Sequence, residues 1–386
     1  MNDVVADTAD RRSSNALFND NTFKLGIFGL NCDSGACMTL ADERLKLSWP
    51  ATRAIAVAAD RAGYELLVPI SRWLGLGGPT NFEGKNFETY TWAAGIAAAT
   101  DHITIAMTSH VQVTHPIFAA KQAVTVDHIS NGRAILNIVC GWFLPELEMF
   151  GAPSLPHDER YDYAQEWFDI VRGLWTSDEP FDYHGKYFKV EKAVASPPPF
   201  QRPIMPTINA GGSGRGQEFV AANCDVAFAL VADIDHPENC KPHFDKYRAM
   251  ARAKNRDIQI WTHGYVIQRE TEAEAQRYFR YVTEECGNDE AAEMAAYHLG
   301  VNAQIYTADQ WQSFKGHLKG GYGGCPFIGT AEQIAEKIHQ LSKAGLDGLT
   351  FDSPDYLDGI SRFNAGVLPL LEQMGLRKPY GHGAMK

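Results

Sequence analysis

Three stretches of this chain put polar or small residues where chemistry needs them. The most specific is Ile208-Asn209-Ala210-Gly211-Gly212-Ser213-Gly214-Arg215-Gly216, an apolar run leading into a glycine-rich turn and then a helical pattern. Small residues let a backbone approach an oxyanion closely, and a helix N-terminus aims N–H groups at it. The spacing matches neither the dinucleotide fingerprint nor a Walker A loop, which ends in Gly-Lys-Ser/Thr. Two readings stay open here: a phosphate cradle formed by Gly211, Gly212 and Ser213, or a plain flexible connection.

The second stretch is Asn137-Ile138-Val139-Cys140-Gly141-Trp142, followed by Pro145-Glu146 and then Asp158-Glu159-Arg160-Tyr161. Polar groups at a strand end, with a tryptophan and a carboxylate beyond, suit a pocket for a flat ring, with Arg160 in reach of a phosphate. Equally, Trp142 fits a core position and Arg160 could pair with a neighbouring acid. The third stretch is Thr108, at a strand end, with His110, His115 and Pro116 after it. Histidines five apart match no standard metal spacing, and no His-Glu-x-x-His occurs, which argues against a metal enzyme. There is no Gly-x-Ser-x-Gly elbow for a serine hydrolase. Cys140 has no evident electropositive partner and reads as a buried, inert thiol.

These residues need a scaffold, and the periodicity supplies one. Strand-like runs fall at 23–29, 64–68, 103–108, 134–139, 205–209, 226–230, 258–267 and 348–351. Helical spacing falls between them at 51–62, 87–100, 117–129, 160–175, 217–222, 240–253, 272–285 and 330–344, with a closing helix at 356–374. Eight strands alternating with helices predict a parallel (β/α)8 barrel, with a doubly wound open sheet as the competing architecture. A Tyr/Phe-rich stretch at 181–190 predicts an inserted hairpin. Between Cys286 and Pro326 the rhythm breaks, and Gly320-Gly321-Tyr322-Gly323-Gly324 reads as a source of flexibility. Residues 286–326 are therefore expected to form an insertion and lid before the last helix–strand unit. Residues 1–22 read as a polar N-terminal tail, 23–375 as the barrel domain and 376–386 as a C-terminal tail.

Composition narrows the function further. The 386 residues carry a formal net charge of -12, which repels phosphate backbones and speaks against nucleic acid. Seven cysteines at irregular spacing indicate neither a disulfide scaffold nor a zinc ribbon. The polar start of the chain lacks the apolar run of a signal peptide, and no stretch approaches the ~18 apolar residues of a membrane span. A cytoplasmic protein with no membrane partner is expected.

Several of these stretches together resemble the luciferase-like, FMN-dependent monooxygenases. They are Ala120-Lys121-Gln122-Ala123, the run from Thr125 to Arg133, Asn137 to Trp142, His157-Asp158-Glu159-Arg160-Tyr161 and the Ala210-Gly211-Gly212-Ser213 turn. Within that family the chain is most similar to the pyrimidine, dimethylsulfone and alkanesulfonate monooxygenases. The resemblance implies a (β/α)8 barrel, reduced FMN and dioxygen as cosubstrates, and a separate NAD(P)H-dependent flavin reductase. It also implies a dimer or tetramer. Carried over by position, Ile70, Ser71, Asn137 and Glu146 line the flavin ring, and Arg160, Tyr161, Gly211, Gly212 and Ser213 hold its phosphate. Thr108 matches a threonine near the flavin atom where oxygen adds, so Thr108 and Asn137 are the catalytic candidates. The implied reaction is oxidation of a small or medium organic molecule, first an N-heterocycle cleaved at C–N, second an organosulfur compound cleaved at C–S. The same barrel also serves deazaflavin-dependent hydride-transfer dehydrogenases and non-catalytic flavin-binding proteins, which are the alternatives. The chain departs from the pyrimidine enzymes at Pro69-Ile70-Ser71-Arg72-Trp73, where they have a lysine after the isoleucine. It departs again at Cys140, where they commonly have a hydroxyl residue, and over Asp33 to Trp49, which has no counterpart.

Overall fold

The structure, a computed structural model, describes residues 15–231, 233–301 and 306–381. Eight parallel strands close into a barrel: β1 (Lys24–Phe28), β2 (Leu66–Val68), β3 (Thr104–His110), β4 (Ala134–Val139), β7 (Thr207–Asn209), β8 (Val226–Phe228), β9 (Gln259–Gln268) and β11 (Gly348–Asp352). Closure comes from β9, which pairs β8 through Gln259–Trp261 and β11 through Trp261–Tyr265. The open-sheet alternative is thereby excluded. β5 (Phe181–His184) and β6 (Lys189–Ala193) form the expected antiparallel hairpin outside the barrel.

The alternation of side chains along each strand sorts residues into two environments. Leu25, Ile27, Leu67, Ile105, Met107, Leu136 and Ile138 point outward and pack under the surrounding helices. Leu66, Val68, Ala106, Ile135, Ile208, Val226 and Trp261 point inward and form a single apolar layer, with Phe28 and Phe228 against it. Burying such residues is worth about 1.5–3 kcal/mol each, so this layer fills the barrel rather than leaving a pore. Polar inward groups are then confined to the two ends.

The amino-terminal end is plugged. Leu17 joins the inward layer, and Asn15 bonds the Gly132 carbonyl at 3.2 Å and Gln201 Oε1 at 3.0 Å. The expected free tail over 1–22 is therefore corrected: 15–18 belong to the barrel, and residues 1–14 lie outside the described residues. The expected tail from 376 is corrected too. Leu376 and Arg377 are buried, and Arg377 bridges the fully buried Glu65 at 2.7 Å while also bonding the carbonyls of Phe23 and Gly63. Polarity misled the sequence reading at both ends, because these polar side chains satisfy buried backbone and carboxylate partners.

The described residues of the excursion between β9 and β11 form regular elements. After α8 (Glu272–Arg280) come α9 (Asp289–His298), α10 (Ala308–Gly321) and β10 (Cys325–Gly329), which pairs with β9 from Gly264 to Gln268. Ala291, Ala292, Ala295, Ala296 and Leu318 pack on Met38, Leu76, Phe82 and Phe143, from the loops at the carboxyl ends of the strands. The segment thus roofs the barrel mouth. A proline at 326 and the short run hid β10 from periodicity. No described helix is long and apolar enough to cross a membrane.

Removing one member of a buried ion pair strands the other charge, at about 3–5 kcal/mol. Arg377→Met is therefore expected to lower the urea unfolding midpoint by that amount of stability, and a midpoint within error of the parent would show the pair to be dispensable.

Candidate active site

The carboxyl ends of the strands gather the candidate residues under the roof. Thr108 is an inward residue near the carboxyl end of β3, directly opposite Asn137 of β4. Its hydroxyl donates to the Pro69 carbonyl at 2.7 Å and accepts from Asn137 Nδ2 at 3.1 Å. Thr89 fixes the Thr108 carbonyl from the other side at 2.7 Å. The Thr108 proton is therefore committed to the loop after β2, while Asn137 keeps one N–H and its carbonyl oxygen uncommitted.

That loop is held mainly by polar atoms. Asn31, fully buried after β1, donates to the Ile70 and Phe87 carbonyls at 2.7 and 3.0 Å and accepts the Ile70 N–H at 2.8 Å. Glu146, in the first turn of α4 (Leu144–Met149), accepts the N–H groups of Trp73 and Leu74 at 2.6 and 3.1 Å. Hydrogen bonds to a charged group contribute about 1.5–3 kcal/mol each, more than this short loop gains from burial of the half-exposed Trp73. Ile70 is buried and Ser71 half-buried at the turn so formed.

Behind the loop lies a charged cluster without access to water. Arg72 binds Glu83 at 2.7 Å, approaches Glu146 at 3.6 Å, and lies over the Trp142 ring at 4.7 Å. Burial opposes the Arg72 charge, but the facing Glu83, Tyr322 and Glu146 outweigh it and hold its pKa above the usual range. Burial also pushes the Glu83 carboxyl up, against the pull of Arg72. His110 stands 3.6 Å from Glu146, beyond hydrogen-bond range, and burial together with Arg72 drops its pKa to about 3. His110 is a neutral neighbour, so its contact with Glu146 is not ionic.

The glycine-rich turn follows β7 and opens α6 (Gly214–Asn223). Asn209 accepts the Gly211 N–H at 2.8 Å and reaches back to the Ile138 carbonyl, tying the turn to β4. Ser213 caps the helix by accepting the Gly216 N–H at 3.0 Å, worth about 1 kcal/mol. Among the described residues the N–H groups of Gly212, Ser213, Gly214 and Arg215 find no acceptor. A Cβ at Gly212 or Gly214 would meet nothing within 4 Å, so the turn is open at these two positions. The Tyr161 hydroxyl, near the start of α5 (His157–Thr176), lies against the turn, 2.7 Å from where a Cβ at Gly216 would stand, and burial pushes its pKa up to about 12. Such a cradle fits an anion of phosphate size.

The structure thus brings Tyr161, Gly211, Gly212 and Ser213 together at the turn, and Ile70, Ser71, Thr108, Asn137 and Glu146 around the β2–β4 ends. Arg160 forms no ion pair with an acid among the described residues. Its guanidinium bonds the Gly141 carbonyl at 3.1 Å and the Leu155 carbonyl at 2.9 Å, between the two groups. Cys140 is buried as expected, and burial pushes its thiol up to about 12. Sequence reasoning passed over Asn31, Glu83, His263 and Asp352. Only the last two left a usable trace, polar residues at inward positions near strand ends.

A family model for luciferase-like monooxygenases matches residues 24–348. The chain belongs to that family. It is 29% identical over 357 residues to pyrimidine monooxygenase RutA of Acinetobacter baylyi, covering 90% of this chain and 94% of that one. It is 28% identical over 348 residues to the FMNH2-dependent dimethylsulfone monooxygenase of Pseudomonas putida, covering 89% and 94%. The fold is similar to that of riboflavin lyase, solved with modified FMN and riboflavin, at a TM-score of 0.81, 21% identity and 93% coverage of each chain. The expectation of a flavin-dependent monooxygenase on a luciferase-like barrel is borne out at the level of family.

The His110 environment gives a sign-definite pH effect. Between pH about 6.5 and about 3 the unfolded histidine takes a proton that the folded one refuses, so stability falls as pH falls through that window. His110→Gln is expected to flatten this fall in urea titrations repeated from pH 7 to pH 4; an unchanged slope would place the acid sensitivity elsewhere.

Proposed function

We propose that this luciferase-like chain is the oxygenase of a two-component system. It takes reduced FMN from a separate NAD(P)H-dependent reductase and uses dioxygen to oxidise a small or medium organic molecule. The observation that carries this reading is the turn at the α6 N-terminus, with four acceptor-free N–H groups beside the Tyr161 hydroxyl. An anionic cofactor tail fits there, on the same barrel face as the Thr108–Asn137 pair. The first substrate class is an N-heterocycle cleaved at C–N, the second an organosulfur compound cleaved at C–S. Similarity to a pyrimidine and to a dimethylsulfone monooxygenase supports both. The protein is expected to work in the cytoplasm as a dimer or tetramer.

FMN, when bound, supplies the electrons that activate oxygen, and the protein supplies position, charge and dryness. Gly211, Gly212, Ser213 and Tyr161 hold the phosphate. Arg160 steadies the Gly141 and Leu155 carbonyls and adds positive charge nearby. Ile70 and Ser71 present the loop to the ring, and Glu146 keeps that loop in place from behind. Asn137 offers its free N–H to charge developing on oxygen, oriented by Thr108. The roof formed by α9, α10 and β10 keeps water from the mouth.

Ser213→Ala and Arg160→Ala are expected to weaken FMN binding about tenfold, which is ~1.4 kcal/mol, and fluorescence titration with FMN reads this directly. Asn137→Ala should lower product formed per reduced FMN by about a hundredfold with FMN affinity preserved. Thr108→Ala should cost less, and Thr108→Ser should recover most of the loss. Equal yields in all three variants would remove the pair from the chemistry.

If residues 286–326 act as a lid, chymotrypsin should cut at the exposed Tyr297 and Leu299 in the free protein. Reduced FMN with substrate should slow that cut, and a cleavage rate indifferent to both would make the segment a fixed wall.

A further inference from the structure

The run Gly320-Gly321-Tyr322-Gly323-Gly324, where α10 ends, carries one side chain among four glycines. That side chain stands at a costly place. Tyr322 caps α10 in the left-handed region, at φ 53° and ψ 33°, with its N–H on the Leu318 carbonyl at 2.8 Å. Glycine is the usual residue at such a helix end, because a Cβ is disfavoured there. A tyrosine held in this conformation, with glycines on both sides, points to a ring that has to be placed. The glycines press the roof onto the barrel wall. A Cβ at Gly321 would stand 2.6 Å from Tyr265 Cβ, and one at Gly324 would stand 2.7 Å from the His263 ring. Tyr322 turns instead to the side that carries the loop after β2. Its ring stacks on Phe82 at 6.1 Å and 25°, and it packs in one cluster with Met38, Leu76 and Phe143.

There the phenol meets the Arg72 cluster. Its hydroxyl is buried, completes no hydrogen bond, and lies within electrostatic reach of Arg72, Glu83 and Glu146. Burial raises its pKa above the ordinary tyrosine range, so the O–H proton is kept. Glu146 spends Oε1 on the N–H groups of Trp73 and Leu74. Its Oε2 is buried and accepts no hydrogen bond, with Arg72 Nη1 and His110 Nδ1 each stopping at 3.6 Å. A buried O–H without an acceptor and a buried carboxylate oxygen without a donor therefore share one cluster. Buried polar atoms are normally satisfied, and these two are complementary.

We propose that Tyr322 is a positioning residue for the flavin side of the site. Seated by the roof, it steadies the Arg72–Glu146 pair, and Glu146 in turn fixes the loop on which Ile70 and Ser71 stand. The inference rests on the oxygenase reading above and deepens it, since it makes order in the ring-side loop depend on the roof being in its seat. Tyr322 acts only through Arg72 and Glu146.

Hydrogen–deuterium exchange of the FMN-free protein tests this without a substrate. Tyr322→Phe keeps the ring on Phe82 and removes only the hydroxyl. In this variant the Trp73 and Leu74 amides are expected to exchange about tenfold faster, while peptides from β3 and β4 keep their parent rates. FMN affinity, read by fluorescence titration, should fall about fivefold, and in a Glu146→Gln background Tyr322→Phe should add nothing further. Gly324→Ala supplies a second route: its Cβ pushes the roof off His263 with the phenol intact, and it should loosen the same two amides. Parent-rate exchange at Trp73 and Leu74 in Tyr322→Phe overturns the inference. So does faster exchange spread over β3 and β4, or effects of Tyr322→Phe and Glu146→Gln on FMN affinity that simply multiply. Where Tyr322→Phe fails to fold, Gly324→Ala decides, and parent-rate exchange there counts against the inference. Failure of the unaltered protein to bind FMN would instead sink the oxygenase reading, and the exchange rates of the loop would still judge Tyr322.

Discussion

Barrel closure is the constraint on which the rest of this molecule depends. Once β9 pairs with β8 on one edge and β11 on the other, every strand has a fixed register and every side chain a fixed side. A slip of one residue would exchange the two faces and drive polar groups into the apolar layer around Trp261. Because Leu17 and Asn15 seal the amino-terminal end, the polar inward groups that remain are collected at the mouth. Thr108, Asn137, His263 and Asp352 lie on inward positions toward one end of the barrel for this geometric reason, although they are scattered over 245 positions of sequence.

The mouth is positioned by electrostatics more than by packing. The loop after β2 carries the half-exposed Trp73 and gains little from burial, yet Asn31 and Glu146 each bond two or more of its backbone groups. Glu146 can be buried because Arg72 stands beside it, and Arg72 in turn needs Glu83 and the Trp142 face. Breaking any one member leaves a buried charge uncompensated, which costs more than the net worth of the intact cluster. A neutral His110 completes the arrangement without adding a second positive charge beside Arg72.

Much of this was legible in the residues, for identifiable reasons. Buried parallel strands are short apolar runs between helices, so all eight barrel strands could be found from their pattern and their glycine and proline boundaries. The turn from Asn209 to Gly216 and the Asn137–Trp142 strand end were visible because small and polar residues interrupt apolar runs there. The helices α9 and α10 were missed because their neighbours supply the apolar contacts and their own faces are alanine-rich. β10 was missed because it is short and contains Pro326. Asn31 and Glu83 carry no local signal: a lone polar residue in a loop looks the same whether it holds three backbone groups or none. Gly321 and Gly324 stand where a Cβ would meet Tyr265 and His263, a role that sequence alone does not distinguish from freedom of the chain.

One further property follows from the length of β9. Its ten residues serve two masters, with the first part closing the barrel and Gly264–Gln268 carrying β10 of the roof. The roof is therefore sewn into the same sheet as the floor it covers, and its C-terminal edge shares a rigid member with the chamber wall. A chimera that exchanges the roof for another member's must carry β10 with it, in register, or it will leave an open sheet edge above the mouth. Diversification of the roof is thus confined to what can be altered between Cys286 and Gly324 while that seam is left intact.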